Sequence, residues 1–342
     1  MEIESIKIEN YKSLVNFELK LPNSFSVFVG ANASGKSNIF EALELLYFFS
    51  FMNPKQALNL FGSANDLFNK NNIGGRNKQG ATNRIMIHVP LWDNGIGPYV
   101  SIQVKNDSDK NYYLEVDEPS KEFESTIKPG VGSAKYNLFF NFTRLFVNNK
   151  KLVKRIVQDD SKLALDALNL EKVLKRLLKN KNKKEEIIDW LQLLIPEFEK
   201  IEIVSDDLNG SDNLLIYEKG TNKPFNKNLI SDGTYNILAI LTAVYQSDEP
   251  QFLCIEEPEN GLNPKVIKEL VNLFRQKCKE GHFIWLNTHS QTLVSELTTD
   301  EIILVDKING ETIVKQVKGM NLHGLKMDEA LLTNALGGGI PW

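Results

Sequence analysis

The chain has 342 residues, 42% of them hydrophobic and 25% charged, and its 40 basic and 44 acidic side chains leave a net charge of −4. This composition fits one large or two modest folded domains and excludes wholesale disorder and a uniformly polybasic nucleic-acid binder. Cys254 and Cys278 are too few for a disulfide framework or a multi-cysteine zinc site. The charged N-terminus lacks a leader's apolar run, and no apolar stretch nears the ~20 residues of a membrane span, so a cytoplasmic protein is expected.

Read in chain order, Ile6 and Ile8 alternate with polar residues, and so do Val15, Phe17, Leu19 and Leu21, with Asn10-Tyr11-Lys12-Ser13 between the two strands. Phe25–Val29 reads as a third strand. Ile39–Met52, apolar on nearly all sides, reads as a buried helix. The polar, glycine-rich run 69–80 reads as a mobile loop, after which strand-like pieces return at Arg84–Leu91, Tyr99–Val104 and Tyr112–Val116. Across 161–200 leucines recur at helical spacing from Leu163 to Leu178 and again from Ile187 to Ile195. Lysines Lys179–Lys184 are expected in the turn between two helices, and Pro196 closes the second. The last third alternates helix Ile237–Tyr245, strand Phe252–Ile255, helix Val266–Lys279, strand Phe283–Asn287, helix Leu293–Leu297 and strand Ile302–Val305. That order implies parallel strands with helices on their faces.

Gly30-Ala31-Asn32-Ala33-Ser34-Gly35-Lys36-Ser37 is a complete G-x4-G-K-S phosphate loop between an apolar strand and a helix. Its backbone N–H groups and the helix N-terminus suit phosphate oxygens. Lys36 is expected to reach the β- and γ-phosphates of ATP, and the Ser37 hydroxyl to ligate Mg2+. Phe252-Leu253-Cys254-Ile255 ends in Glu256-Glu257, one carboxylate for the metal shell and the other to orient or deprotonate water. Two further elements are ambiguous taken alone. His289 follows an apolar strand directly, and Ser231-Asp232-Gly233-Thr234 precedes a helix; each reads either as a site element or as a helix cap.

The order of these four motifs resembles the ABC-type ATPase heads of the RecF, SMC and OLD families. The chain is most similar to the compact bacterial group labelled "AAA family ATPase", found beside nuclease genes in anti-phage loci such as Septu and PARIS. The resemblance also takes in Ile6-x-Ile8-x-Asn10-Tyr11-Lys12-Ser13, Asn169–Phe198, Glu256–Pro264 and Leu336-Gly337-Gly338-Gly339. It implies an α/β P-loop fold of the ABC-ATPase type, with an N-terminal antiparallel β-subdomain and a small helical insert. The chain would be a single head 1–342: an N-terminal lobe 1–140, the insert 141–205 and a C-terminal lobe 206–342.

By that resemblance the nucleotide site comprises Gly30, Asn32, Ala33, Ser34, Gly35, Lys36, Ser37 and Asn38. Ser37 and Glu256 would hold Mg2+, Glu257 would be the catalytic base and His289 the γ-phosphate switch. Ser231, Asp232 and Gly233 would form a signature loop that completes the partner protomer's site in a homodimer, with Asn260–Asn263 at the dimer contact. Glu256 stands where broader ABC heads carry aspartate, and Asn263 where many relatives carry histidine. Gln103 is the candidate Q-loop glutamine.

The 53 residues after His289 are too few for the Toprim nuclease domain of OLD proteins, and the 161–200 insert is too short for an SMC coiled coil. An ATPase acting through a partner, a co-encoded nuclease or other effector, is the expectation. The alternatives are a RecF-like DNA-binding repair ATPase and a nucleotide sensor with little turnover. Segment 148–184 holds twelve basic and four acidic residues, so it is either a docking face for DNA or an acidic partner or simply a solvated helical surface.

Overall fold

A computed structural model describes residues 3–49, 52, 54–62, 64–69, 84–89, 99–106, 112–117, 141–147, 160–206 and 211–339. Most of the expected loop 69–80 and residues 148–159 of the basic segment lie outside them.

The centre is a six-stranded sheet in the order β14-β13-β3-β12-β11-β7. Its strands are β3 (Phe25–Val29), β7 (Phe142–Leu145), β11 (Phe252–Glu256), β12 (Phe283–Thr288), β13 (Ile302–Ile308) and β14 (Glu311–Gln316). All but β14 run parallel to their neighbours. Strands covered on both faces read as unbroken apolar runs, which is why β3, β11 and β12 are fully buried from end to end. A five-stranded antiparallel sheet, β2-β1-β4-β5-β6, is built from β1 (Ser5–Tyr11), β2 (Leu14–Lys20), β4 (Arg84–His88), β5 (Tyr99–Asn106) and β6 (Tyr112–Asp117). The fold is therefore the mixed α/β class with an N-terminal antiparallel subdomain.

Two apolar cores flank the central sheet. Phe28, Phe252, Cys254, Phe283 and Trp285 face one, shared with helix α1 (Lys36–Phe49) and β1–β2. Val27, Leu253, Ile255, Ile284 and Leu286 face the other, filled by α4 (Leu170–Leu178), α5 (Lys181–Leu194), α6 (Asp232–Tyr245) and α7 (Pro264–Lys279). Short helices α2 (Pro54–Asn59) and α3 (Ala64–Leu67) follow α1. This parity, period two along every strand, decides which side each functional side chain takes.

Three expectations need correction. Residues 160–169 are not helical although Leu163 and Leu165 are buried. The Asn169 side chain accepts from Ala164 N and donates to Lys162 O, both at 2.8 Å, and holds the segment as a loop that ends at α4. Second, Lys181, Lys183 and Lys184 are not in a turn but in the first turn of α5, capped by Asn180. Third, Gln103 lies on β5 opposite Arg84, in the antiparallel sheet and not at the strand ends around the phosphate loop. The three-stranded sheet of β8 (Phe198–Asp206), β9 (Ser211–Glu218) and β10 (Phe225–Asn226), which buries Phe198, Ile201, Leu214 and Ile216, is not among the expected elements.

Candidate functional site

The site forms where β3, β11 and β12 end. In β11, Phe252, Cys254 and Glu256 share the α1 side of the sheet; on β7 and β12, Arg144 and Asn287 fall on that side by the same alternation. Three residues of α1 at helical spacing, Ser37, Glu41 and Glu44, face them. Ser37 Oγ donates to Glu256 Oε2 at 2.5 Å, and Asn287 Nδ2 donates to the same oxygen at 3.1 Å. Arg144 Nε donates to Glu256 Oε1 at 2.6 Å, its Nη2 also contacts Oε1, and its Nη1 donates to Glu44 Oε2 at 2.9 Å. The side chains of Arg144 and Glu256 are each 1% exposed. Burial alone would lower the Arg144 pKa, but the Glu256 and Glu44 carboxylates outweigh it and the net shift is upward.

The phosphate loop is braced from below. Lys36 Nζ donates to the carbonyls of Gly30 and Ala31, each at 2.8 Å. Burial pulls the Lys36 pKa down, while Glu257, Glu259 and Glu256 oppose the shift. Ser13 Oγ pairs with Thr312 Oγ1 at 2.6 Å and accepts from Asn38 Nδ2 at 2.8 Å, and Thr312 Oγ1 donates to Ser34 O at 2.8 Å. Gly35, at φ +106°, sits so close that a Cβ would lie 1.9 Å from Thr312 Oγ1, so only glycine fits. Ser13, the last residue of the Asn10–Ser13 opening, thus buttresses the loop.

Glu257 turns the chain out of the sheet at φ +48°, with its N–H donating to Asn287 O at 3.0 Å. Asn260 Nδ2 donates to Glu257 Oε2 at 3.1 Å, and His289 Nδ1 lies 3.3 Å from Oε1. Both side chains reach solvent, at 26% and 41% exposure. Ser290, not His289, caps α8 (Gln291–Ser295), which leaves the imidazole for the site.

Ser231 caps α6 by accepting from Thr234 N at 3.0 Å, and with Asp232 it is exposed. Gly233 is buried against Gly261, whose carbonyl would be 2.3 Å from an added Cβ. Asn236 Nδ2 donates to Pro258 O and Asn260 O, so α6 is wired to the loop that holds Glu257. Asn263 caps α7 through Val266 N at 3.0 Å, a role asparagine fills well.

Ser37 and Glu256 present two hard oxygens at the start of a phosphate-loop helix. That donor set suits Mg2+, which takes one or two protein oxygens and completes its shell with phosphate and water. Sequence reasoning did not find Arg144, Glu44, Asn287 or Thr312. The one available signal was an arginine embedded in the apolar run Phe142-Thr143-Arg144-Leu145-Phe146-Val147.

The chain resembles several known proteins. A family model described as "AAA domain, putative AbiEii toxin, Type IV TA system" matches residues 102–295. The energy-coupling factor transporter ATP-binding protein EcfA2 of Lactobacillus acidophilus is 32% identical over 113 residues, 32% of this chain and 38% of that protein. The DNA replication and repair protein RecF of Rickettsia canadensis is 44% identical over 45 residues, 13% of this chain and 12% of that protein. The matched stretches therefore span well under half of these relatives. In fold, an Smc head bound to the C-winged helix domain of ScpA superposes with a TM-score of 0.56 at 16% identity, over 94% of this chain and 99% of that one. The Smc head from Pyrococcus furiosus with an extended coiled coil, bound to the C-terminal domain of ScpA, gives 0.54 at 14%, over 92% and 96%. Since the family match takes in more than half of the 342 residues, the chain belongs to this AAA-domain family, within the RecF/SMC superfamily of ABC-type ATPases.

Proposed function

We propose that the chain is an Mg2+-dependent ATP hydrolase, a single head of lobes 1–140 and 206–342 around the insert 141–205, that dimerises on nucleotide. It would control a partner effector, a nuclease, in anti-phage defence. The observation that carries this reading is the solvent-reaching Glu257 carboxylate, held by Asn260 and flanked by His289, beside the Ser37–Glu256 pair. Lys36 and the loop N–H groups bind the phosphates, and Ser37 and Glu256 would hold Mg2+, which when bound offsets phosphate charge. Glu257 would accept the proton of the attacking water, and His289 would sense the γ-phosphate. Ser231 and Asp232, exposed at the start of α6, would complete the site of a second protomer.

The link to defence rests on the family description, and a partner is favoured because relatives of this fold are seen bound to ScpA. The RecF match favours a second reading, a DNA-binding repair ATPase. The basic segment supports it less than its charge suggests. Lys175 pairs with Asp212, Lys183 with Asp248 and Lys181 with Glu185, and Arg176 donates to backbone carbonyls, while Lys172, Lys179 and Lys184 are exposed on the described part.

The test is complementation. Lys36→Ala and Ser231→Arg are each expected to be inactive alone, and a mixture that exchanges subunits regains turnover through one intact composite site per heterodimer. No recovery, in mixtures proven to exchange, overturns the shared site. Absence of ATP turnover by the wild-type chain together with any co-encoded partner overturns the hydrolase.

A further inference from the structure

Arg144 is a buried cation that lies on both Glu256 and Glu44, and no motif of the site demands it. Its guanidinium forks: Nε and Nη2 both lie on Glu256 Oε1, and Nη1 bonds Glu44 Oε2 at 2.9 Å. The other Glu256 oxygen, Oε2, faces Ser37 and Asn287. We propose that Arg144 is a positioning residue that pins one oxygen of Glu256, so that only the other is offered to the divalent cation, and that this sets a preference for Mg2+ over Ca2+. The inference rests on the Mg2+-nucleotide reading of the site.

Glutamate is one methylene longer than the aspartate usual at this position in ABC heads, and a free carboxylate on that longer arm can turn both oxygens toward a metal. Ca2+ accepts bidentate carboxylates at 2.3–2.6 Å in a loose shell, whereas Mg2+ demands single-oxygen vertices of an octahedron at 2.0–2.1 Å. With Oε1 taken by two guanidinium nitrogens, Glu256 can give only one vertex. The parallel register of β7 on β11 sets Arg144 opposite Cys254, two residues before Glu256 and on its face of the sheet, close enough for the fork to reach forward. Glu44 is what keeps the clamp from disabling the site. Its carboxylate balances the guanidinium, so the triad retains a net negative charge toward the cation. A lysine could not do this, because a single ammonium head cannot hold two carboxylates in a fixed plane.

A merely charge-balancing arginine would leave metal choice untouched, and that separates the readings. A non-hydrolysable ATP analogue is titrated into the full chain by calorimetry across MgCl2 and CaCl2 series. Wild type should need less Mg2+ than Ca2+ for half-saturation. Arg144→Lys, judged folded by its melting transition, should raise the Mg2+ requirement about tenfold, as loss of a partner to a metal ligand does. The Ca2+ requirement should move far less, so the ratio narrows. Should Arg144→Lys fail to fold, the charge-balanced pair Arg144→Met with Glu44→Gln leaves Glu256 held by Ser37 and Asn287 alone and should shift the ratio the same way. An unchanged Mg2+/Ca2+ ratio in either folded variant overturns the role of Arg144 while leaving the ATPase reading intact. Failure of wild type to bind the analogue with either metal overturns both.

Discussion

Glu256 and Glu257 are neighbours in the chain and live in opposite surroundings. Glu256 ends a buried strand, 1% exposed, with both oxygens occupied by Arg144, Ser37 and Asn287. Glu257 is the first residue beyond the sheet, in left-handed backbone, a quarter exposed, and touched only at its tip by Asn260 and His289. The difference follows from one strand ending: alternation sends Glu256 into the face that α1 covers, while the turn carries Glu257 toward solvent. A metal ligand must be immobile and a proton acceptor must reach water, and under the proposed roles one dipeptide would satisfy both needs because the sheet stops between them. Asn287 joins the halves, donating to Glu256 through its side chain and accepting the Glu257 N–H at its carbonyl.

The sharpest way to break that division is Glu257→Gln. The amide keeps the shape and the Asn260 contact but cannot take a proton, so kcat should fall by about 10²–10⁴-fold, the usual worth of a general base. Nucleotide should still bind, through Lys36 and the loop, and the ATP-bound dimer should accumulate. Phosphate release under single turnover, paired with nucleotide binding, reads both. Turnover at the wild-type rate would mean that the exposed carboxylate is not the base.

Asn260→Ala sharpens the same contrast from the side of the support. It removes one hydrogen bond to a partly exposed carboxylate, worth about 1 kcal/mol, so kcat should drop roughly fivefold. The buried half, which Asn260 does not touch, should keep its metal dependence. A parallel loss of Mg2+ affinity would show that the two halves are not independent.

The buried strands and the order of elements were legible because apolar runs and turn residues are local signals. Phe25–Val29 carries its strand in its own composition, and the glycine pattern of 30–37 fixes a loop whose neighbours need not be known. The clamp on Glu256 was not legible, since Arg144 lies 100 residues from Glu44 and 112 from Glu256. Only the register of β7 on β11 brings them together, and a four-residue strand containing Thr143 and Arg144 gives periodicity little to work on. The helix expected across 161–169 has the opposite origin. Leu163 and Leu165 do point into the core, but Asn169 satisfies backbone groups from its side chain and Ala167 takes φ +58°, so burial is achieved without a helix.

The smallest expected effect concerns strain, which the two halves of the site also share unequally. Glu257 at φ +48° and Ala33 at φ +63° are both non-glycine residues in left-handed backbone. At Glu257 the strained backbone carries a carboxylate, so relieving it with glycine would delete the proposed base with it. Ala33 offers only a methyl group, exposed in the phosphate loop, so little burial repays the conformation. A left-handed L-residue costs about 1–2 kcal/mol, and glycine returns about 0.5–1 kcal/mol of that through its freer unfolded chain. Ala33→Gly should therefore stabilise the nucleotide-free protein by about 0.5 kcal/mol, a rise of roughly 1–2 °C in the melting midpoint for a chain of this size. Thermal unfolding of both proteins, side by side and without nucleotide, measures it. A loss of stability instead would mean that the Ala33 methyl is held by contacts in the folded loop, and that its strain, like that of Glu257, serves a position the protein needs.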